Sequence, residues 1–102
     1  MRRPERSIRF LSAAETDFQE IITYIASDNL TAAKTLAGKI ERQLTRLSAH
    51  PFIGKIPNEK ELADMGYRFL VIQNYLVFYT IEDHVIMIHR IIHGARDYPG
   101  LL

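Results

Sequence analysis

The first fifty residues show two hydrophobic periods, which predict one strand followed by two helices. Residues 7–11 place Ile8 and Phe10 on one side and polar residues on the other, which is typical of a short strand. Residues 13–27 and then residues 31–49 repeat apolar side chains every three or four positions, which predicts two amphipathic helices. The first stripe contains Ala14, Phe18, Ile21, Ile22 and Ile25, and the second contains Ala33, Leu36, Ala37, Ile40, Leu44 and Leu47.

The signals at the helix ends favour a hairpin of the two helices. Ser12 and Glu15 have the S-x-x-E spacing of a capping box, which predicts that Ser12 caps the first helix. The interruption at residues 28–30 is so short that we expect the helices to pack antiparallel. His50 precedes Pro51, and a residue before proline is disfavoured in the helical region. The second helix is therefore expected to end there.

The second half of the chain predicts a β meander. A polar connection at residues 51–66, with one helical turn across residues 59–65, leads into three segments rich in Ile, Val, Tyr and Phe. These segments are residues 67–72, 75–81 and 85–92. Their separators are of hairpin length and contain residues that tolerate positive φ. We predict a single α+β domain over residues 1–102, in the order β-α-α-β-β-β, with a helical hairpin packed on one face of a small, mainly antiparallel sheet. The tail from Gly94 is too broken for a regular element.

The strands are apolar on both sides. In the last strand, alternation places Ile86, Ile88 and Ile92 on one face and Val85, Met87 and Ile91 on the other. A sheet with one solvated face is polar at every second position. One helical hairpin covers only one face, so the second face is expected to meet the long loop and tail, another copy of the chain, or a partner protein.

Composition narrows the class of protein. The chain has 102 residues, 47% of them apolar, with 13 Lys and Arg against 12 Asp and Glu. This is typical of a folded domain, and a protein that coats nucleic acid would be more basic. Cysteine is absent, which excludes a disulfide and a thiolate metal site, and we expect no metal and no cofactor. No apolar run approaches a membrane span and no signal peptide is evident, so we expect a cytoplasmic protein without a membrane partner.

Five polar residues interrupt the apolar strands: Arg68, Thr80, His89, Arg90 and His93. Three of them, Arg68, Arg90 and His93, are candidates for function. By alternation Arg68 lies on the same face as Leu70 and Ile72, and Arg90 lies among isoleucines. Such an arginine pairs with a carboxylate, keeps its charged head in water while its stem packs, or forms a cradle for an anion or an acidic partner. His93, at a strand end, is either a hydrogen-bonded structural histidine or a catalytic one.

Four segments, taken in order, carry a resemblance to a known family. They are Leu47-x-x-His50-Pro51-x-x-Gly54, Gly66-Tyr67-Arg68-Phe69-Leu70-Val71, Tyr75-Leu76-Val77-Phe78-Tyr79 and Ile91-Ile92-His93-Gly94-Ala95-Arg96-Asp97. Together with the order of elements, they resemble the RelE/ParE superfamily, the toxins of type II toxin–antitoxin modules that are often labelled plasmid stabilisation proteins. The ending H-G-x-R-D is more typical of the ParE branch.

The resemblance implies one of two activities. ParE-like toxins inhibit DNA gyrase by binding it and catalyse no reaction of their own, whereas RelE-like toxins cleave mRNA on the ribosome without a metal. Both kinds are neutralised by a small antitoxin, and ParD-like antitoxins carry a ribbon-helix-helix domain. The resemblance therefore implies growth arrest, a hetero-oligomer with an antitoxin, and gyrase as the target, without direct sequence-specific binding of nucleic acid.

The residues favour the binding activity over cleavage. The resemblance implies that a metal-free nuclease of this family would use Arg68, Arg90 and His93, but Gly94 stands where one nuclease subgroup has an aromatic residue. No lysine follows Lys60, and the strands offer no carboxylate between residues 67 and 81. We therefore predict no catalytic residues; an mRNA endoribonuclease and a non-toxic interaction module of the same fold are the alternatives. The predicted target-binding residues are Arg68, Arg90, His93, Arg96, Tyr98, Leu101 and Leu102. The two terminal leucines either contact the target or tuck against the sheet.

Overall fold

The computed structural model describes residues 6–94, 96 and 98–102, and this part of the chain contains four strands and three helices. In chain order they are β1 (Ser7–Phe10), α1 (Ser12–Ala26), α2 (Leu30–Ala49), α3 (Lys60–Asp64), β2 (Arg68–Ile72), β3 (Tyr75–Glu82) and β4 (Val85–His93). The predicted order β-α-α-β-β-β and the helical turn in the connection are confirmed. A 3-10 turn at Pro99–Leu101 is a difference from the prediction of an irregular tail.

The strands form one sheet in the order β1-β4-β3-β2. The last three strands make the predicted antiparallel meander, and β1 lies parallel to β4. Gln73 and Asp83, in the two connecting turns, have φ angles of 53° and 51°. These left-handed conformations are the ones that tight hairpin turns require. None of the described helices is long and apolar enough to cross a membrane.

The capping prediction for the first helix is wrong. The main-chain N–H of Leu11 donates to Ile88 O at 2.9 Å, so the strand pairing keeps Leu11 extended and the helix begins directly after it. Ser12 consequently lies inside the first turn, and Leu11 occupies the capping position without a side-chain cap. In α2, by contrast, the Asn29 side chain accepts a hydrogen bond from the Ala32 N–H at 3.0 Å, which is a regular N-cap.

The helical hairpin covers one face of the sheet, as predicted. The apolar stripes of α1 and α2 pack on residues that alternate along β2, β3 and β4. The buried members of this first cluster are Ala14, Leu36, Ile40, Leu47, Leu70, Ile72, Val77, Tyr79, Ile86, Ile88 and Ile91.

A bulge in β4 changes which side chains face this cluster. Tyr79 pairs with Ile88 and Phe78 pairs with Arg90, so His89 is an extra residue without a partner on β3. The alternation therefore shifts by one residue after position 89. Ile91 joins the first cluster, whereas Ile92 faces the opposite side, so the predicted faces of these two residues are wrong.

The opposite face of the sheet is covered by the chain itself. A second cluster contains the buried residues Leu62, Tyr67, Phe78 and Ile92, with the partly buried Phe69, Leu76, Tyr98, Leu101 and Leu102 packed against it. Leu62 comes from α3, and the last three come from the C-terminal segment, residues 98–102. Of the three coverings considered from the sequence, the loop and the tail are the ones that the structure shows.

Candidate target-binding site

A groove lies between α1 and the end of β4, where two of the predicted site residues meet. Its volume is about 240 Å³, and we call it the C-terminal groove; its lining is Asp17, Glu20, Ile21, Tyr24, Tyr75, Ile91, Ile92, His93 and Arg96. The Tyr75 and His93 rings meet edge to face, 5.5 Å apart. Tyr24 is 80% exposed, and Glu20, His93 and Arg96 are also exposed. The groove thus offers aromatic, basic and acidic groups to solvent.

One wall of the groove is held by a paired arginine. The Arg90 guanidinium donates to both carboxylate oxygens of Asp17, at 2.7 Å from Nε and 2.9 Å from Nη2. The same carboxylate accepts from the main-chain N–H of Ile91 at 2.9 Å. This N–H lies on β4 beyond the end of β1, so a side chain from α1 replaces the missing strand partner. Hydrogen bonding to Asp17 raises the pKa of Arg90.

Arg90 also anchors the C-terminal segment. Its Nη1 donates to the main-chain oxygen of Leu101 at 3.1 Å. The Tyr98 ring packs on Phe78 with the centroids 4.8 Å apart, and the Tyr98 hydroxyl donates to both carboxylate oxygens of Glu59. Because Leu101 and Leu102 are partly buried in the second cluster, this segment contributes to the packing of the sheet.

Arg68 lies elsewhere, at the start of β2. Its Nη1 donates to the main-chain oxygens of Phe52 and Gly54, at 3.3 and 3.0 Å, and its guanidinium lies 5.1 Å from the centre of the Phe52 ring. Arg68 and Arg90 therefore have different partners, one in the connection after α2 and the other in α1. The structure does not bring Arg68 to the C-terminal groove.

The His-Pro-x-x-Gly motif forms a clamp around the buried Tyr79. The Tyr79 hydroxyl donates to Pro51 O at 2.8 Å and accepts from the Gly54 N–H at 3.0 Å. A side chain at position 54 would collide with the tyrosine ring, which explains the glycine. Burial raises the pKa of Tyr79, so the hydroxyl remains a donor at neutral pH. The motif therefore holds the connection to the sheet and needs no catalytic explanation.

His89 lies at the centre of a polar network, although it is not one of the predicted site residues. Its Nδ1 lies 3.3 Å from the Tyr67 hydroxyl and its Nε2 lies 2.9 Å from the Thr80 hydroxyl, which in turn donates to Glu82 at 3.2 Å. Burial lowers the pKa of His89, although the Glu82 charge opposes this. A neutral ring therefore accepts from Tyr67 and donates to Thr80. The bulge that creates this site forms where β4 pairs with β3, so the sequence of β4 alone does not predict it.

We expect the lowered pKa of His89 to make folding stability depend on pH. Below about pH 6.5, the ordinary pKa of histidine, the unfolded chain binds the proton more readily than the folded chain, so stability falls as the solution becomes more acidic. Urea unfolding of the wild type and of His89→Gln at pH 7.5 and pH 5.0 measures the effect. The variant should lose less stability than the wild type on acidification. Equal losses in the two proteins would contradict the expectation.

The chemistry of the groove suits recognition of a protein surface. Exposed tyrosine and arginine side chains are the types enriched at the centres of protein interfaces. Within the described ranges, no three His, Asp or Glu side chains are grouped so that they could hold a metal ion. Asp17 is already engaged with Arg90, so the exposed charges that remain for a partner are those of Glu20 and Arg96.

One family model matches most of the chain, and two solved structures are similar to it. The model of a family described as the ParE toxin of type II toxin–antitoxin system, parDE, matches residues 8–98. A chain from the chromosomal ParDE system of P. aeruginosa is similar in fold, with a TM-score of 0.70 and 18% identity over 87% of this chain and 96% of that one. A chain of the RelBE2 toxin–antitoxin complex from Mycobacterium tuberculosis has a TM-score of 0.61 and 27% identity over 87% and 98%. A search of curated proteins finds no significant match.

Proposed function

Because the chain belongs to the ParE toxin family of type II toxin–antitoxin systems, we propose that it arrests growth by binding and inhibiting DNA gyrase in the cytoplasm. In this proposal it catalyses no reaction, and a cognate ParD-like antitoxin with a ribbon-helix-helix domain neutralises it. The alternative within the superfamily is cleavage of mRNA on the ribosome.

One observation carries the choice of binding over cleavage: both strand arginines already have structural partners. Arg90 is bound to Asp17 and to the tail, and Arg68 is bound to two carbonyl groups of the connection. A metal-free nuclease needs a phosphate-stabilising cation, a base and an acid that converge on one phosphate. Two arginines with separate partners, on β2 and β4, do not provide such a convergence. This supports a toxin that works by contact.

We assign the target contact to the C-terminal groove and the tail beside it. His93, Arg96 and Tyr24 are exposed around the groove, so a partner can reach them without unfolding of the chain. Arg68 and Arg90 then have supporting roles, since they hold the connection and the tail in place. Tyr98, Leu101 and Leu102 form the adjoining edge of the surface and are held there by the second cluster.

The test compares two assays on the same preparation of the full chain. DNA supercoiling by purified gyrase should be inhibited, and mRNA in a translating ribosome system should stay intact. Loss of an arginine contact at an interface typically costs about 1–2 kcal/mol, so Arg96→Ala should raise the inhibitory concentration about 5- to 30-fold. Arg46→Ala, an exposed arginine on α2 outside the groove, is the matched control and should stay within about twofold of the wild type.

The opposite pattern would overturn the proposal. Cut mRNA with unimpaired supercoiling would assign the chain to the mRNA-cleaving branch. If cleavage then disappeared in His93→Ala, a catalytic role of His93 would replace its role in target binding. Unimpaired gyrase together with intact mRNA would favour a non-toxic interaction module.

A further inference from the structure

A second cavity lies between the residues after α3 and the hairpin of β3 and β4, and the proposed function does not use it. Its volume is about 270 Å³, and we call it the His89 cavity; its main lining residues are Met65, Gly66, Tyr67, Thr80, Glu82 and His89. None of them lines the C-terminal groove. Pockets for whole drug-sized ligands measure about 300–1,000 Å³, so this smaller cavity suits one functional group on a short stem.

The hydrogen bonds around the His89 cavity all run toward one carboxylate. The Tyr67 hydroxyl donates to Nδ1 of the neutral His89 ring, Nε2 donates to the Thr80 hydroxyl, and this hydroxyl donates to Oε2 of Glu82. The side-chain N–H and O–H donors of these residues are therefore already used. The second carboxylate oxygen of Glu82 accepts no hydrogen bond and forms no ion pair within residues 6–94, 96 and 98–102.

This inventory of donors and acceptors selects the charge of a ligand. An anion would need donors, but no Lys or Arg is among the described residues that line the cavity. The group left to bind a ligand is the Glu82 carboxylate, which only accepts hydrogen bonds and carries a negative charge. The cavity therefore suits a positively charged donor.

The mouth of the His89 cavity is open to solvent. Glu82 is exposed, and Met65 is 66% exposed. Gly66 has a φ of 86°, and a Cβ at this position would meet nothing within 4 Å. A group can therefore enter past Gly66 without displacing a side chain, and the flexible Met65 side chain offers an apolar wall to its stem.

We propose that the His89 cavity binds an organic cation, namely a guanidinium or ammonium group on a short alkyl stem. The charged end pairs with the Glu82 carboxylate, and the stem lies against Met65. A hydrogen bond between two charged groups is about twice as strong as one between neutral groups. An arginine or lysine side chain of a partner protein and a small free amine share this chemistry. The inference is independent of the proposed target, because none of these residues is assigned to the target contact.

Occupancy of the cavity should be coupled to the protonation of His89. Glu82 is the charged group among the lining residues, and its charge raises the pKa of His89 against the effect of burial. A bound cation offsets that charge, so the pKa of His89 should fall further when the cavity is filled. By linkage, the cation should bind more weakly once acidification has protonated His89.

An NMR titration of the full chain with n-butylguanidinium tests the site, and the neutral n-butylurea is the matched probe. Butylguanidinium should shift the His89 ring signals and the Thr80 amide saturably, and it should bind at least about fivefold more tightly than butylurea. The midpoint of the His89 titration should be lower in the filled protein than in the free one. Equal binding of the two probes, or no saturable shift with either, would overturn the proposal.

A blocked tripeptide with a central arginine separates the two sources of the cation. Tighter binding of the tripeptide than of butylguanidinium would support the proposal and assign the cavity to a side chain of a partner protein. Tighter binding of the free cation would support it and assign the cavity to a small amine.

Two neighbouring acidic residues provide the matched substitutions. Glu82→Gln keeps an acceptor for Thr80 but removes the charge, so it should weaken butylguanidinium binding at least about fivefold and abolish the coupling to His89. Asp83→Asn removes the next charge, at an exposed position outside the main lining, where asparagine tolerates the φ of 51°. This control should stay within about twofold of the wild type. Equal weakening in the two variants would show only a general attraction to an acidic turn and would overturn the proposal.

Discussion

Asp17→Ala is expected to destabilise the protein by about 3–5 kcal/mol, because it removes one partner of a partly buried ion pair and leaves the other uncompensated. The Asp17 and Arg90 side chains are only 12% and 22% exposed. The substitution also leaves the Ile91 N–H without its acceptor, at a point where β4 has no strand beside it. Chemical denaturation at neutral pH measures the loss, which corresponds to a fall in Tm of at least about 12 °C.

A second ion pair in the same chain provides the control. Lys60 and Asp64 also form a salt bridge, but their side chains are 87% and 60% exposed. Exposed pairs contribute little because solvent screens them, so Asp64→Ala should change the unfolding free energy by at most about 1 kcal/mol. If both alanine variants lost the same small amount, the pair between α1 and β4 would have no structural importance. The free arginine would then again be a candidate for direct contact with the target.

Gly54→Ala is expected to destabilise the protein by about 3 kcal/mol, at the upper end of the usual range for overpacking. A Cβ at this position would lie 2.7 Å from Cε1 of Tyr79 and closer still to its hydroxyl oxygen. Tyr79 is fully buried and cannot swing away, so the connection must move. That movement would also break the two hydrogen bonds of the clamp. Thermal unfolding followed by circular dichroism measures the effect.

Gly100→Ala is the control for this substitution. A Cβ at position 100 would meet nothing within 4 Å, and its φ is not in the left-handed region, so the expected change is within about 0.5 kcal/mol. Tyr79→Phe removes only the hydroxyl and should cost less than Gly54→Ala, about 1–2 kcal/mol for the lost hydrogen bonds. A Gly54→Ala variant as stable as the wild type would show that the connection is free to move away from Tyr79.

The groove and its exposed residues could be predicted only in part. The sequence predicts His93 and Arg96 as target contacts, and the structure places both in the C-terminal groove. Glu20 and Tyr24 lie four residues apart on α1 and complete that groove, but nothing in a helix pattern distinguishes these exposed residues from other solvated ones. The sequence also predicts Arg68 as a target contact, but its partners lie in the connection after α2. Whether an arginine is free or engaged depends on groups that are distant along the chain.

Local patterns in the sequence are sufficient to predict the elements, their order and the family. Hydrophobic periods of two and of three to four residues are local properties, as are the turn residues at Gln73 and Asp83, so the hairpin and the meander could be read directly. The ordered motifs identified the superfamily without any coordinates.

The use of the sheet faces and of the charged side chains depends on how the elements pack together. The bulge at His89 exists only because β4 pairs with β3, and it exchanges the sides of Ile91 and Ile92. The bond between Asp17 and Arg90 joins residues 73 positions apart, and the tail covers the second face through contacts that the packed sheet creates. These features depend on the distances between elements that are far apart in the sequence, and a local pattern of side chains does not predict those distances.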